Sequence, residues 1–252
     1  MAIRVAGVRS GQLATAGSFV NISLLVSRLS NMFQAPLLGV MVDQASRHPD
    51  VLGPALAQSF RGVIASGFVG TALAALLVPN LAILVAKGME HFKQDASIIK
   101  VMSKALWPGR WPRLTRTLLK RPSFHGKQAV TWEGIPRVFL AVNVLVTAIY
   151  TIGVLSALLA GALNPELKAT AIQLSGIVNG IATICLVLFV DPGSAHVIDA
   201  VVAGRRHEGH MWAVVISLTL GRLLGVGILA QILFLPATGY INWAAHWLTG
   251  LL

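Results

Sequence analysis

The sequence predicts an all-α polytopic membrane helix bundle, and three observations carry that prediction. Only 12% of the 252 residues are charged and 55% are hydrophobic, whereas a soluble domain is about 25% charged. Mean hydropathy is +0.74, which points to lipid as the solvent. The charges also fall in clusters, leaving five apolar windows long enough for the roughly 20 residues that a helix needs to cross a bilayer core.

The windows define about five transmembrane helices within a single integral membrane domain, residues 1–252. The first spans about 12–42 and carries Arg28 in its middle. The second, 62–86, and the third, 138–164, are uncharged; the fourth spans 169–190, and the fifth, 212–235, holds Arg222. After it, "TGYINWAAHWLTGLL" sets Tyr240, Trp243 and Trp247 on one helical face, which reads as interfacial rather than spanning. The first window is too long for the apolar core of a signal peptide and lacks a small-residue cleavage site, so it reads as a retained helix. Cys185, the single cysteine, sits in an apolar run and reads as a packing residue.

Net charge is +11. In a soluble chain that would suggest nucleic acid. Here the bases lie between apolar runs, so membrane orientation explains them and no nucleic-acid partner is expected. With five crossings, fifteen Lys and Arg fall on one side and three on the other. The positive-inside rule then puts the N-terminus and the basic loop 87–137 in the cytoplasm. Within that loop, "DASIIKVMSKALWPGRWPRL" spaces Ile98, Val101, Met102 and Ala105 as an amphipathic helix, with Trp107 and Trp111 beyond. Two readings stand: a helix lying on the anionic inner leaflet, or a solvated loop that only sets topology.

The interior cations are the sharper signal. An arginine at the bilayer centre costs about 2.5–3.5 kcal/mol on insertion scales. Helical spacing puts Asn21, Arg28 and Asn31 on one side of the first span, and Ser27 and Gln34 widen that side. Three readings compete for Arg28 and Arg222: they line a polar cavity and bind an anionic group such as a phosphate; they pair with Asp43 or Asp191; or they snorkel to an interface. The spans hold no Asp or Glu in their interiors, which argues against full pairing.

Weaker signals were weighed too. Gly176 with Gly180, and Gly221 with Gly225, are small-x-x-x-small pairs that allow close helix approach. Pro36 and Pro79 would kink or end their helices. His207 and His210 in "RRHEGH" are too few for zinc. No nucleotide motif or nucleophile elbow occurs, and "GVGILA" at 225–230 lies inside a span. No catalytic residue, cofactor or metal is therefore expected.

"RVAGVRSGQLATAGSFVNISLLVSRLSNMFQAPLLGVMVD" (4–43), "VTAIYTIGVLSALLAG" (146–161) and "LFVDPGSAHVIDAVVAGRR" (188–206) resemble the Amj family, the alternate lipid II flippases of bacteria. Members usually carry a further hydrophobic helix before the first of these stretches, so this chain is expected to lack that helix or to start downstream of it. The resemblance implies a transporter, not an enzyme, of the bacterial inner membrane that moves lipid II, a polyprenyl pyrophosphate bearing a disaccharide-peptide, for peptidoglycan synthesis. The alternatives are a membrane enzyme acting on polyprenyl phosphates, which would need converging acid–base groups, and a non-transporting cell-wall scaffold, which would tolerate loss of Arg28. Other peptidoglycan synthesis proteins are candidate partners. For such a cargo, depth and charge nominate Arg28 and Arg222 as pyrophosphate ligands. Asn21 and Asn31 lie beside Arg28, and Arg9 and Arg61 stand near the two faces. Asp191, before Pro192, is the acid best placed to carry a coupled proton; the plainer reading is a helix-end residue beside a turn-forming proline.

Overall fold

A computed structural model of the chain describes residues 3, 6–8, 11–95, 107, 109, 111–119, 130–132 and 137–251. The described secondary structure is helical: α1 Leu13–Ala45, α2 Pro49–Asp95, α3 Trp111–Leu119, α4 Arg137–Leu163, α5 Lys168–Cys185, α6 Asp191–Val202, α7 Glu208–Leu224 and α8 Ala230–Thr249. A π-turn, Leu186–Val190, joins α5 to α6, and a second, Gly225–Leu229, joins α7 to α8. Among the described residues, four helical stretches are long and apolar enough to cross a membrane: Pro49–Glu90, Val138–Leu163, Pro165–Val202 and Gly209–Thr249. α1 has 33 residues, about 50 Å at 1.5 Å per residue.

The helices outrun the apolar windows. Arg61, expected between spans, lies inside α2. The aromatic tail is no separate element, because α8 continues α7 through the π-turn as far as Thr249. Pro36, Pro54, Pro79 and Pro236 all lie within helices; among packed apolar helices the carbonyl that a proline frees can be satisfied by neighbours, so the helix need not stop. Asp191 opens α6 without a break in the helical stretch: the chain leaves the π-turn at Val190, passes Pro192 in the first turn of α6, where a missing N–H is tolerated, and runs on to Val202.

α4 is the hub, touching α1, α2, α5, α7 and α8. Its small residues make this feasible: Ala148, Ala157, Ala160 and Ala162 are fully buried. The main core joins Leu38 and Val42 of α1, Phe60 of α2, Ile152 and Leu159 of α4 and Phe234 of α8. Buried polar groups tie the hub to its neighbours. Asn143 Nδ2 donates to the Leu218 carbonyl at 3.2 Å, and Ser156 Oγ to that of Phe234 at 3.1 Å. Away from water such bonds are needed, because an unpaired polar group in hydrocarbon is costly.

The contacts also rank residues by depth. One end holds Gly53 against Leu163, and Asn164 bonded to Asn242 Oδ1 at 2.7 Å. Lys168 pairs with Asp43 there. Tyr240, Trp243 and Trp247 stand exposed at this level, as an interfacial belt does. The other end, here the basic end, holds Gly193 against Phe139, the turn with Arg205 and Arg206, and the exposed Trp132, whose neighbour Thr131 donates its N–H to the Gly209 carbonyl at 3.4 Å. The amphipathic stretch expected before Trp107 lies outside the described residues; the helix described in the basic loop is α3, with Trp111 exposed.

Candidate functional site: cations along the apolar interior

α1 and α2 form an antiparallel pair that meets at both ends. Towards the basic end, Phe19 stacks edge-on with Phe92 at 6.2 Å, and Ala16 clusters with Met89. Towards the far end, Leu38, Val42 and Ala45 cluster with Leu56, Phe60 and Ile64. Between these zones the pair parts. From Ser23 to Leu37 every residue of α1 whose side chain is described is exposed, and so are Val69, Leu73 and Leu76 of α2. Arg28 falls in the middle of this open slot.

The polar residues of α1 divide by chemistry. Ser23 Oγ and Ser30 Oγ donate back to the carbonyls of Phe19 and Val26, at 3.1 and 3.3 Å, so both hydroxyls are satisfied within the helix. The amides of Asn21, Asn31 and Gln34 are exposed, and among the described residues they have no such partner. An amide facing hydrocarbon costs several kcal/mol, about 4–8 on the cyclohexane scale. That side of α1 therefore needs a polar surrounding.

Arg222 is exposed on α7. It lies about one turn before Val226, which packs over Gly67 of α2. Gly221 beside it packs on Asn143 and Val144 of α4. Interpolating along α2 between the helix contacts brings Arg28 and Arg222 to about the same depth, each within about a turn of Leu73.

Arg61 stands nearer the far end, about 12 Å inward from the level of Gly53 by helical rise. Its Nη1 donates to the carbonyl and the Oε1 of Gln231, at 3.3 and 3.2 Å, and its guanidinium lies 6.0 Å from the Phe234 ring centroid. Gln231 Nε2 returns a bond to the Arg61 carbonyl at 3.0 Å. Sequence reasoning missed Gln231; the signal was an amide within the apolar run "LAQILFL". Nine residues of helix separate Arg222 from Gln231, about 14 Å of rise. The cations are thus spaced along the bundle rather than gathered at one point, with the π-turn Gly225–Leu229 between them.

Of the other nominated residues, Arg9 lies outside the described residues. Asp191 is half-buried at the basic end, two residues from the Gly193–Phe139 contact. Asp43 is taken by Lys168, which corrects the reading that pairs it with Arg28 or Arg222. Gly221 and Gly225 do pack closely on α4, whereas open space lies over Gly176 and Gly180.

Fold and site together define a helical membrane protein that carries arginines along its apolar helices. The model of the Amj family, described as Alternate to MurJ, matches residues 1–245. The chain is also 35% identical over 247 residues to the Lipid II flippase Amj of Bacillus subtilis (strain 168), covering 98% of this chain and 90% of that relative. It belongs to the Amj family. No solved structure matches it.

Proposed function

We infer that the protein is a lipid II flippase of the bacterial cytoplasmic membrane, carrying the undecaprenyl-pyrophosphate-linked precursor of peptidoglycan from the inner to the outer leaflet. The observation that carries this reading is the 35% identity, over nearly its whole length, to a relative named for that activity. In this reading the basic end faces the cytoplasm, as the positive-inside rule requires, and the bundle is multi-pass.

The cargo explains the cations. Its head is large, polar and anionic and cannot cross hydrocarbon unaided, while its polyprenyl tail can remain in lipid. The slot between α1 and α2 opens sideways, so a head within it keeps its tail outside. Arg28 and Arg222 take the pyrophosphate at mid-depth, Asn21 and Asn31 bond the sugars and peptide, and Arg61 receives the charge further out. Spacing the cations along the path keeps any one of them from holding the anion too tightly. The membrane potential, inside negative, favours outward movement by about 2.3 kcal/mol per charge per 100 mV. Asp191 is the candidate proton carrier if a coupled ion contributes. Peptidoglycan synthesis proteins that use the cargo on the far side are its partners in this account.

The test is reconstitution. Vesicles holding the purified chain and a fluorescent lipid II are treated with an impermeant quencher. Exchange between leaflets at least about tenfold faster than in protein-free vesicles is expected; equal rates would refute the reading.

A further inference from the structure

The translocation path leaves one basic cluster unused, at the turn from α6 to α7. Gly204, at φ +69°, ends α6, and the N–H groups of Arg205 and Arg206 both return to the Ala200 carbonyl, at 2.9 and 3.1 Å. These bonds fold the turn tightly over the helix end. Arg206 and His210 become half-buried, while Arg205 and His207 stay exposed.

Arg206 Nη1 and His210 Nδ1 are both buried without a hydrogen-bond partner. Among the described residues, the side chains of Arg205, Arg206, His207 and His210 make no hydrogen bond or ion pair. A buried unsatisfied donor costs about 1–3 kcal/mol, and more when charged. A guanidinium and an imidazole four residues apart call for a ligand rich in oxygen acceptors, and the planar fork of arginine suits phosphate oxygens. The first turn of α7 adds its positive end to the same place. Several donors at one place suit a ligand with several phosphate oxygens. Beneath the turn, Met211 and Trp212 are buried with Val8 and Ala82 and anchor it to the bundle. An anion carried on an apolar chain can reach the turn while the chain stays in the surrounding lipid.

We propose that the α6–α7 turn is a loading site for a lipid diphosphate at the cytoplasmic leaflet, with Arg206 and His210 donating to the phosphate oxygens. The site rests on the flippase reading for its cargo. It stands before the mid-depth arginines on the path and is separate from them.

The test uses the full chain in nanodiscs containing polyprenyl pyrophosphate or neutral polyprenol, with inorganic pyrophosphate titrated separately. Arg206→Gln and His210→Gln should each weaken binding of the lipid diphosphate about tenfold, the loss of one charge-assisted bond. Arg206→Lys should recover part of it, and unchanged gel-filtration behaviour identifies folded variants. Polyprenol should not bind, and inorganic pyrophosphate should bind more weakly than the lipid. Inorganic pyrophosphate bound as tightly as the lipid would overturn the lipid assignment and make the turn a site for the free anion. If the parent translocates lipid II and folded Arg206→Gln and His210→Gln bind the lipid like the parent, the loading site is refuted and the flippase reading stands. If the parent binds the lipid diphosphate, Arg206→Gln loses it and no translocation occurs, the site is supported and the flippase reading fails.

Discussion

Arg61 and Gln231 clasp each other across α2 and α8: the guanidinium donates to the carbonyl and side-chain oxygens of Gln231, and the amide of Gln231 donates back to the Arg61 carbonyl. A cation within an apolar bundle is thereby held without a carboxylate. Removing one partner leaves the other unpaired, which costs more than removing both. Arg61→Ala and Gln231→Ala should each lower stability, and the double variant should lose less than the sum. Thermal unfolding in detergent, read as a double-mutant cycle, should give a coupling of about 1 kcal/mol, within the range for hydrogen bonds in membrane proteins. Additive losses would mean that the clasp carries no coupling energy.

The two glycine pairs should behave differently. A side chain at Gly225 would meet the Val144 carbonyl at 2.7 Å and Thr147 Cβ at 3.0 Å, whereas Gly176 has open space. Gly225→Ala should destabilise by about 1–3 kcal/mol, the usual cost of overpacking, while Gly176→Ala should be neutral or slightly stabilising by helix propensity. The melting temperatures of the two variants check this, and equal shifts would contradict the packing described for α4 and α7.

Arg222 is exposed, and the proposed function puts it on the cargo path. Arg222→Gln should slow lipid II exchange in proteoliposomes by about tenfold or more. Its melting temperature should stay near that of the parent, because an exposed substitution changes stability by about 0.5 kcal/mol or less. A large fall in melting temperature with exchange unchanged would make Arg222 a structural residue.

Much of the fold was legible because lipid simplifies the code: the apolar windows around residues 62–86 and 138–164 lie within α2 and α4. Arg61 misled, since a charge between two windows reads as loop, and its partner Gln231 is 170 residues away along the chain. Asp191 and Pro192 do begin α6, as the dipeptide suggests, but the π-turn before them keeps the helical stretch continuous, and the apolar composition of Leu186–Val190 does not announce that turn. The spacing of Asn21, Arg28 and Asn31 was legible in the sequence; Asn21 and Asn31 are exposed, as are Leu24 and Leu29 of the same stretch. The gap between α1 and α2 was not legible, because it depends on which helix ends touch.

Arg28 remains the centre of the account, in the stretch of α1 where the described side chains are exposed. Complementation tests it most directly: the chain and its Arg28→Ala variant are expressed in bacteria depleted of their main lipid II flippase, with equal membrane insertion confirmed. The account predicts growth with the parent and lysis with Arg28→Ala. Growth with both, at equal rates, would contradict an anion path through the α1–α2 slot.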